Sequence, residues 1–333
     1  MITQLQTRVI ESLSYDPWVN LAIEEYLLKQ IAEDEVILYL WQNDNTVVIG
    51  RNQNAWKECR HLDLEQEGGK LARRLSGGGA VFHDLGNLNF TFMMNKKHYD
   101  LSKQLTVILQ AVTKLGIKAE FSGRNDLVIE GKKFSGNAYY FNQDSALHHG
   151  TILINSDLTK LSRYLQVSSE KIISKGVDSV RSRVVNLVEV KRAITLSDVT
   201  QSMKDSFFHN YRGSAQEMAV DRNDFNIEPL VRKYSSWEWR FGNTPKFDIS
   251  ICRRFAWGEM ELGFCLKNGR IDSVQVFSDA IEERLIRDIG KGLEGCSFKK
   301  DRMIERLIKI NSQSENQVLI IKDVALWLSE TEI

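Results

Sequence analysis

The run EVILYLW (35–41) constrains the fold more than any other segment. Val36, Leu38 and Leu40 alternate with Ile37, Tyr39 and Trp41, so the run reads as a strand buried on both faces. TVVIG (46–50) reads as a second strand ended by glycine, and AVFHD (80–84) and LNFTFMM (88–94) follow around a glycine-rich turn. Then the period changes. Leu101, Leu105, Ile108, Leu109, Val112 and Leu115 recur at helical spacing, with Asp100 placed to cap the helix and Gly116 to stop it. DLVIEGKKFSGNAYYF (126–141) predicts a hairpin turning near Glu130–Gly131, and GTILIN (150–155) predicts another strand. Residues 157–237 read as mostly helical, most clearly Ser197–Phe208 and Glu228–Trp237. Beyond them, EWRFGNTPKFD (238–248) reads as a linker. Strands near 253–266 and 270–277 are joined by Asn268–Gly269, and helices follow near 279–291, 300–310 and 318–328.

Strands joined by tight turns favour antiparallel pairing over crossover connections. The expected class is α+β: a catalytic domain (1–243) with mixed, largely antiparallel sheets and flanking helices, then a small C-terminal α/β accessory domain (248–333). Composition narrows the function. The 44 basic and 44 acidic residues cancel, which argues against a nucleic-acid-coating surface. The longest apolar run, Val36–Trp41, is far below the roughly 18–20 residues of a membrane span. The N-terminus shows no basic head followed by an apolar stretch, and the four cysteines form no CxxC pair, so a cytoplasmic chain without membrane association is expected.

Four segments could carry chemistry. In ARRLSGGGAVFHD (72–84), Ser76 is followed by three glycines, Gly77, Gly78 and Gly79. Such a bend suits close approach of backbone N–H groups to an anion, and Arg74 before it supplies planar, permanently charged donors. The spacing fits neither a P-loop nor a dinucleotide-binding turn. Val81 and Phe82 either line a slot for an aliphatic chain or are strand core. In SGRND (122–126) and KKFSGNA (132–138), Lys133 lies just past the predicted hairpin turn, beside the small residues Ser135, Gly136 and Ala138. A lysine there could stabilise charge growing on a phosphate and a carbonyl oxygen. Lys132 and Lys133 should point to opposite faces, so at most one serves a site. The segment equally fits a solvated hairpin tip. Adjacent His148 and His149 also point apart and have no ligand-spaced partner, so hydrogen bonding is expected rather than a fixed metal cage. KGVDSVRSR (175–183) reads as a mobile lid or an ordinary charged connection.

These segments resemble the lipoate–protein ligase family, of the bacterial type A. The resemblance runs through SYDPWVNLAIEEYL (14–27), TVVIGRNQNAWKEC (46–59), LARRLSGGGAVFHDLGNLNFTF (71–92), SGRNDLVIEGKKFSGNAYY (122–140), HHGTILIN (148–155), KGVDSVRSRVVNL (175–187) and SSWEWRFG (235–242). It implies a catalytic domain like that of biotin ligases, related to class II aminoacyl-tRNA synthetases. It makes Lys133 the catalytic lysine of a Lys-x-Ser-Gly-x-Ala motif, in contact with lipoate and adenylate. By the same resemblance Arg74, Gly79, Ala80, Val81, Phe82, Asn125 and Asp126 bind nucleotide or adenylate. Ser76, Gly77, Gly78 and His149 contact lipoate, and Val180, Arg181 and Ser182 belong to a loop closing over the adenylate. Leu75 departs from the pattern, where a small polar residue is expected. The hairpin before Lys133 is also short.

The reaction implied is ATP-dependent. Lipoate attacks the α-phosphate of Mg²⁺-bound ATP to give lipoyl-AMP and pyrophosphate. A lysine of an acceptor protein then takes the lipoyl group and AMP leaves. The implied acceptors are lipoyl domains of 2-oxoacid dehydrogenase complexes and the glycine-cleavage H protein. The alternatives are an ATP-independent octanoyl or lipoyl transferase working through a cysteine, a biotin ligase, and a non-catalytic lipoate sensor. No cysteine lies between Cys59 and Cys252, which disfavours the thiol route.

Overall fold

The computed structural model describes residues 5–122, 126–165, 184–242 and 247–331. The chain forms two compact units. One comprises Met1–Val48, Trp56–Arg73 and Val81–Arg240; the other comprises Ile49–Ala55, Arg74–Ala80 and Phe241–Ile333.

The first unit is built on an eight-stranded sheet. Its strands, with those of a smaller sheet, are β1 (Gln6–Ser12), β2 (Glu35–Trp41), β3 (Thr46–Ile49), β4 (Lys70–Arg73), β5 (Val81–His83), β6 (Asn87–Asn95), β7 (Glu120–Ser122), β8 (Asp126–Ile129), β9 (Lys132–Phe141), β10 (Ser145–Leu153) and β11 (Ser214–Val220). The large sheet runs β11-β1-β2-β6-β10-β9-β8-β7, and the small one β4-β3-β5. From β2 to β7 every neighbour is antiparallel, but β1 pairs parallel with both β2 and β11. β2 is buried along its whole length, as its two apolar faces require.

Alternation divides the sheet into two faces. On one, Leu38, Phe90, Phe92, Met94 and Ile152 pack with the helices Leu101–Lys114 and Leu196–Tyr211 into the apolar core. The first of these helices starts at Asp100, whose carboxylate accepts the Lys103 N–H, and ends before Gly116 at φ +81°. The other face carries Tyr39, Trp41, Asn89, Thr91 and His149, and Glu24 of helix Pro17–Gln30 bonds into it. That helix is capped by Asp16 and opens on Pro17. Buried residues fall on almost every side of it, so it shows no amphipathic period.

One sequence expectation is corrected in this unit. Residues 157–237 are not helical throughout, because Ser214–Val220 forms β11. Its residues are largely exposed at the sheet edge, so they lack the apolar alternation that marks a strand. The expected mixed, largely antiparallel pairing is what the sheet shows, with β1 taking its two parallel partners.

The second unit holds β12 (Ile249–Phe255), β13 (Gly258–Lys267) and β14 (Arg270–Ser278) in an antiparallel sheet, order β12-β13-β14. The single strand expected near 253–266 is thus two, broken at Ala256–Trp257. The turn between β13 and β14 is Asn268–Gly269, both at positive φ as a tight hairpin requires. Helices Glu283–Leu293, Lys300–Leu307 and Glu315–Glu330 bury Leu285, Ile289, Met303, Val324 and Leu328 with Met260, Leu262 and Phe264 of the sheet.

Candidate active site

In the first unit Lys133 is placed by a hairpin and an irregularity. Glu130 and Gly131 form the two-residue turn, both at positive φ. Asp126 pairs with Gly136 and Leu127 with Ser135, but Val128 pairs with Lys133. Phe134 is therefore an extra residue, a β-bulge. In an unbroken strand Lys133 would share the core-facing side with Ser135 and Asn137. The bulge sends Phe134 into the core and turns Lys133 to the polar face, where its side chain lies over Gly136. A methyl on Gly136 would sit 2.7 Å from both Cε and Nζ of Lys133, so a larger residue there would push the end of the lysine aside. Lys132 is exposed, and Lys133 alone of the pair reaches this face.

Lys133 Nζ lies 2.7 Å from Asp126 Oδ1, a contact of charge without hydrogen-bond alignment. The Lys133 carbonyl accepts the Val185 N–H at 2.9 Å, tying the strand to the chain that follows residue 183. Beside Gly136 the ladder opens: its N–H donates to Thr151 Oγ1 at 3.2 Å rather than to a carbonyl. A hydroxyl has one proton and two lone pairs. The Thr151 proton has no acceptor among the described residues, so Thr151 offers a donor on the face where the Lys133 ammonium lies.

The two histidines point apart, as expected. His149, on the polar face, has Nδ1 2.9 Å from Glu24 Oε1. The same oxygen accepts from Thr91 Oγ1 at 2.7 Å, and Thr91 accepts from Trp41 Nε1 at 3.1 Å. His148 is fully buried on the core side, between Gln104 Oε1 at 2.7 Å and Asn137 Oδ1 at 2.8 Å. Burial, and secondarily the neighbouring His149, push its pKa down to about 3. A neutral ring has one N–H, so it donates to one of these amides and accepts from the NH2 of the other once that amide is turned. Among the described residues, no group of three or more His, Cys, Asp or Glu is placed to hold a metal ion.

The two arginines before the glycine bend have separate duties. In the first unit, Arg73 Nε donates to the carbonyls of Trp239 (2.9 Å) and Arg240 (3.1 Å), and Trp239 Nε1 donates back to the Arg73 carbonyl at 2.8 Å. The SSWEWRFG segment thus anchors the end of β4. In the second unit, Arg74 folds onto its own bend: Nη2 donates to the carbonyls of Gly77 (2.7 Å) and Gly79 (2.8 Å), and Nε to Ser76 Oγ (3.0 Å). The Gly78 N–H donates to the Ala280 carbonyl at 3.1 Å. A methyl on Gly77 would lie 2.3 Å from that carbonyl. Gly77 therefore admits backbone from residues 280–281, a reason for glycine that the local sequence does not announce. Gly79 is exposed and Ala80 partly so.

Of the remaining expected site residues, Val81 is half-buried and Phe82 buried against Tyr164. Leu75 is buried. Asn125, Val180, Arg181 and Ser182 lie outside the described residues. Glu24, Thr91, Asn89 and Thr151 were not singled out from the sequence. A signal for two of them existed: Asn89 and Thr91 alternate with Phe90 and Phe92, which marks a strand with one polar, buried face.

A mixed sheet with an apolar face under two helices, a lysine-bearing polar face and a separate small C-terminal unit is the architecture of lipoate ligases, a biotin-ligase-like variant of the class II synthetase fold. Residues 16–208 match the lipoyl protein ligase A/B catalytic domain, and residues 244–328 match the bacterial lipoate protein ligase C-terminus. The chain belongs to the lipoyl protein ligase A/B family. LipL1 of P. falciparum, solved with lipoate, is 30% identical with a TM-score of 0.85, over 97% of this chain and 100% of that one. A bipartite lipoate protein ligase of Thermoplasma acidophilum, studied with its E2 lipoyl domain, is 28% identical with a TM-score of 0.64, over 74% and 100%. A lipoate-protein ligase A bound with ATP is 26% identical with a TM-score of 0.62, over 72% and 99%.

Proposed function

We propose that this protein activates lipoate with Mg²⁺-bound ATP as lipoyl-AMP and transfers the lipoyl group to a lysine of an acceptor protein. The observation that carries this reading is the bulge that turns Lys133 onto the polar face over Gly136, in a chain of this family. A carboxylate does not acylate an amine; a mixed anhydride with phosphate does. Both steps build negative charge on oxygen, once at the α-phosphate and once at the acyl carbonyl. A fixed ammonium and the Thr151 hydroxyl can stabilise such charge on one face. Asp126 is the counter-ion Lys133 holds before an anionic ligand takes its place. The resemblance assigns Arg74 and Gly79 to the nucleotide, and Ser76, Gly77 and Gly78 of the bend to lipoate.

The acceptors are lipoyl domains of 2-oxoacid dehydrogenase complexes or the glycine-cleavage H protein, in keeping with the lipoyl domain studied beside the Thermoplasma relative. The transferase alternative lacks a suitable thiol. Cys59 is buried, and burial, with the nearby acidic groups of Glu65, Asp63 and Glu58, pushes its pKa up to about 12. A thiol so protonated is a poor nucleophile.

The test is lipoate-dependent exchange of labelled pyrophosphate into ATP, followed by mass gain on an apo lipoyl domain. Wild type should show both, and Lys133→Ala should lose at least about a hundredfold in exchange. Mass gain from an octanoyl carrier without ATP would favour the transferase, and undiminished exchange in Lys133→Ala would demote the lysine to a spectator.

A further inference from the structure

We propose that Asn89 reads the far end of the acyl substrate and makes the site prefer a sulfur-bearing acid to a saturated one of equal length. The inference rests on the lipoate-activating reading and names the group that sets its specificity.

Asn89 lies on the polar face, opposite Trp41 of β2 and Thr151 of β10. It is 1% exposed. Its Oδ1 accepts from Asn87 Nδ2 at 2.9 Å, and its Nδ2 has no partner among the described residues. A buried N–H without an acceptor is costly, and a polar site keeps one where a ligand supplies the missing half. The neighbouring Thr91 hydroxyl is fully engaged between Trp41 and Glu24. Two other buried atoms near this row are unpaired, Asn87 Oδ1 and Glu24 Oε2, but both accept, and a disulfide ring has no proton to give. Among the described residues of this row the donors left are the Thr151 hydroxyl, beside the Lys133 subsite, and the Asn89 N–H, one strand farther out, where it can meet a sulfur lone pair, a weak acceptor.

The position fits the substrate's length. Lys133 lies over Gly136 of β9, and β10 and β6 are the next two strands. At about 4.8 Å per strand, Asn89 is roughly 10 Å across the sheet from the Lys133 subsite. That is close to the reach of an extended eight-carbon acid whose carboxylate is held by the lysine. Lipoate carries its ring sulfurs at that end. Octanoate carries only hydrocarbon and leaves the amide unpaired. A site that offers a hydrogen bond discriminates against the analogue unable to make it more strongly than an apolar pocket does.

The experiment compares kcat/KM for lipoate-dependent and octanoate-dependent pyrophosphate exchange in wild type, Asn89→Leu and Asn89→Ser. Wild type should favour lipoate by about tenfold or more, Asn89→Leu should bring the ratio close to parity, and the hydroxyl of Asn89→Ser should keep most of it. Parity in wild type overturns the proposal even if Asn89→Leu does not fold. So does an Asn89→Leu variant that slows both acids equally, which would mark the amide as structural or water-bound. If folded wild type exchanges with neither acid, the adenylation reading falls, and calorimetry with each acid decides Asn89. Equal affinities then overturn it; a lipoate preference lost in Asn89→Leu upholds it.

Discussion

Gly136→Ala places a methyl where the Lys133 side chain now runs, 2.7 Å from Cε and Nζ. The backbone there is ordinary β, so the cost falls on the lysine and not on the strand. We expect kcat for pyrophosphate exchange to fall at least about tenfold, while the melting temperature moves by only a few degrees. A variant as active as wild type would show that the ammonium acts from another position. The same residue shows how far sequence could see. Lys133 was legible because Glu130–Gly131 predicts a hairpin and the small residues beside the lysine leave room. Its facing was not, because a bulge at Phe134 interrupts the alternation by which facing is read. The polar row of Glu24, Thr91 and His149 joins side chains far apart in sequence, and no local pattern announces their pairing.

His148 works at the scale of elements, since it bonds helix Leu101–Lys114 to β9 from its place on β10. Folding lowers its pKa to about 3, below the roughly 6.5 of an unfolded histidine. Between these values the unfolded chain binds a proton that the native protein refuses. Its contribution is therefore fully present above about pH 6.5 and is lost as pH falls toward 3, at up to ~1.4 kcal/mol per unit. His148→Gln, which cannot titrate, should flatten this acid limb in urea unfolding followed from neutral pH to about pH 4.5. An unchanged limb would place the acid sensitivity elsewhere. Elements announced by local chemistry were readable: the capped helix after Asp100, the turns at Glu130–Gly131 and Asn268–Gly269, and the buried β2. β1 and β11 were not. Their pairing is parallel, spans some two hundred residues, and in β11 leaves an exposed edge with no apolar period.

For the whole molecule, the division into units has a measurable consequence. The segments Ile49–Ala55 and Arg74–Ala80 fold with the C-terminal unit through backbone bonds: Gly78 N–H to the Ala280 carbonyl, and Ser278 N–H to the Asn52 carbonyl. The Asn52 amide also donates to the Glu283 carbonyl at 3.0 Å. Leu262→Ala in the C-terminal core should destabilise that unit by about 2–5 kcal/mol. Hydrogen exchange at Gly78 should then quicken in step, while the β2–β6 ladder around Leu38 stays protected. Equal acceleration at both places would show a single cooperative body instead of two.

The tether between the glycine bend and residues 278–283 also bears on how the protein is made. A nascent chain leaves the ribosome from its N-terminus, so Gly77 and Gly78 emerge some two hundred residues before Ala280, whose carbonyl accepts the Gly78 N–H. β1 waits slightly longer for β11. Until residue 280 has emerged, the Gly78 N–H lacks its acceptor. The contact between the bend and Ala280 is therefore among the last of this unit to form, and a chain released before residue 280 lacks it.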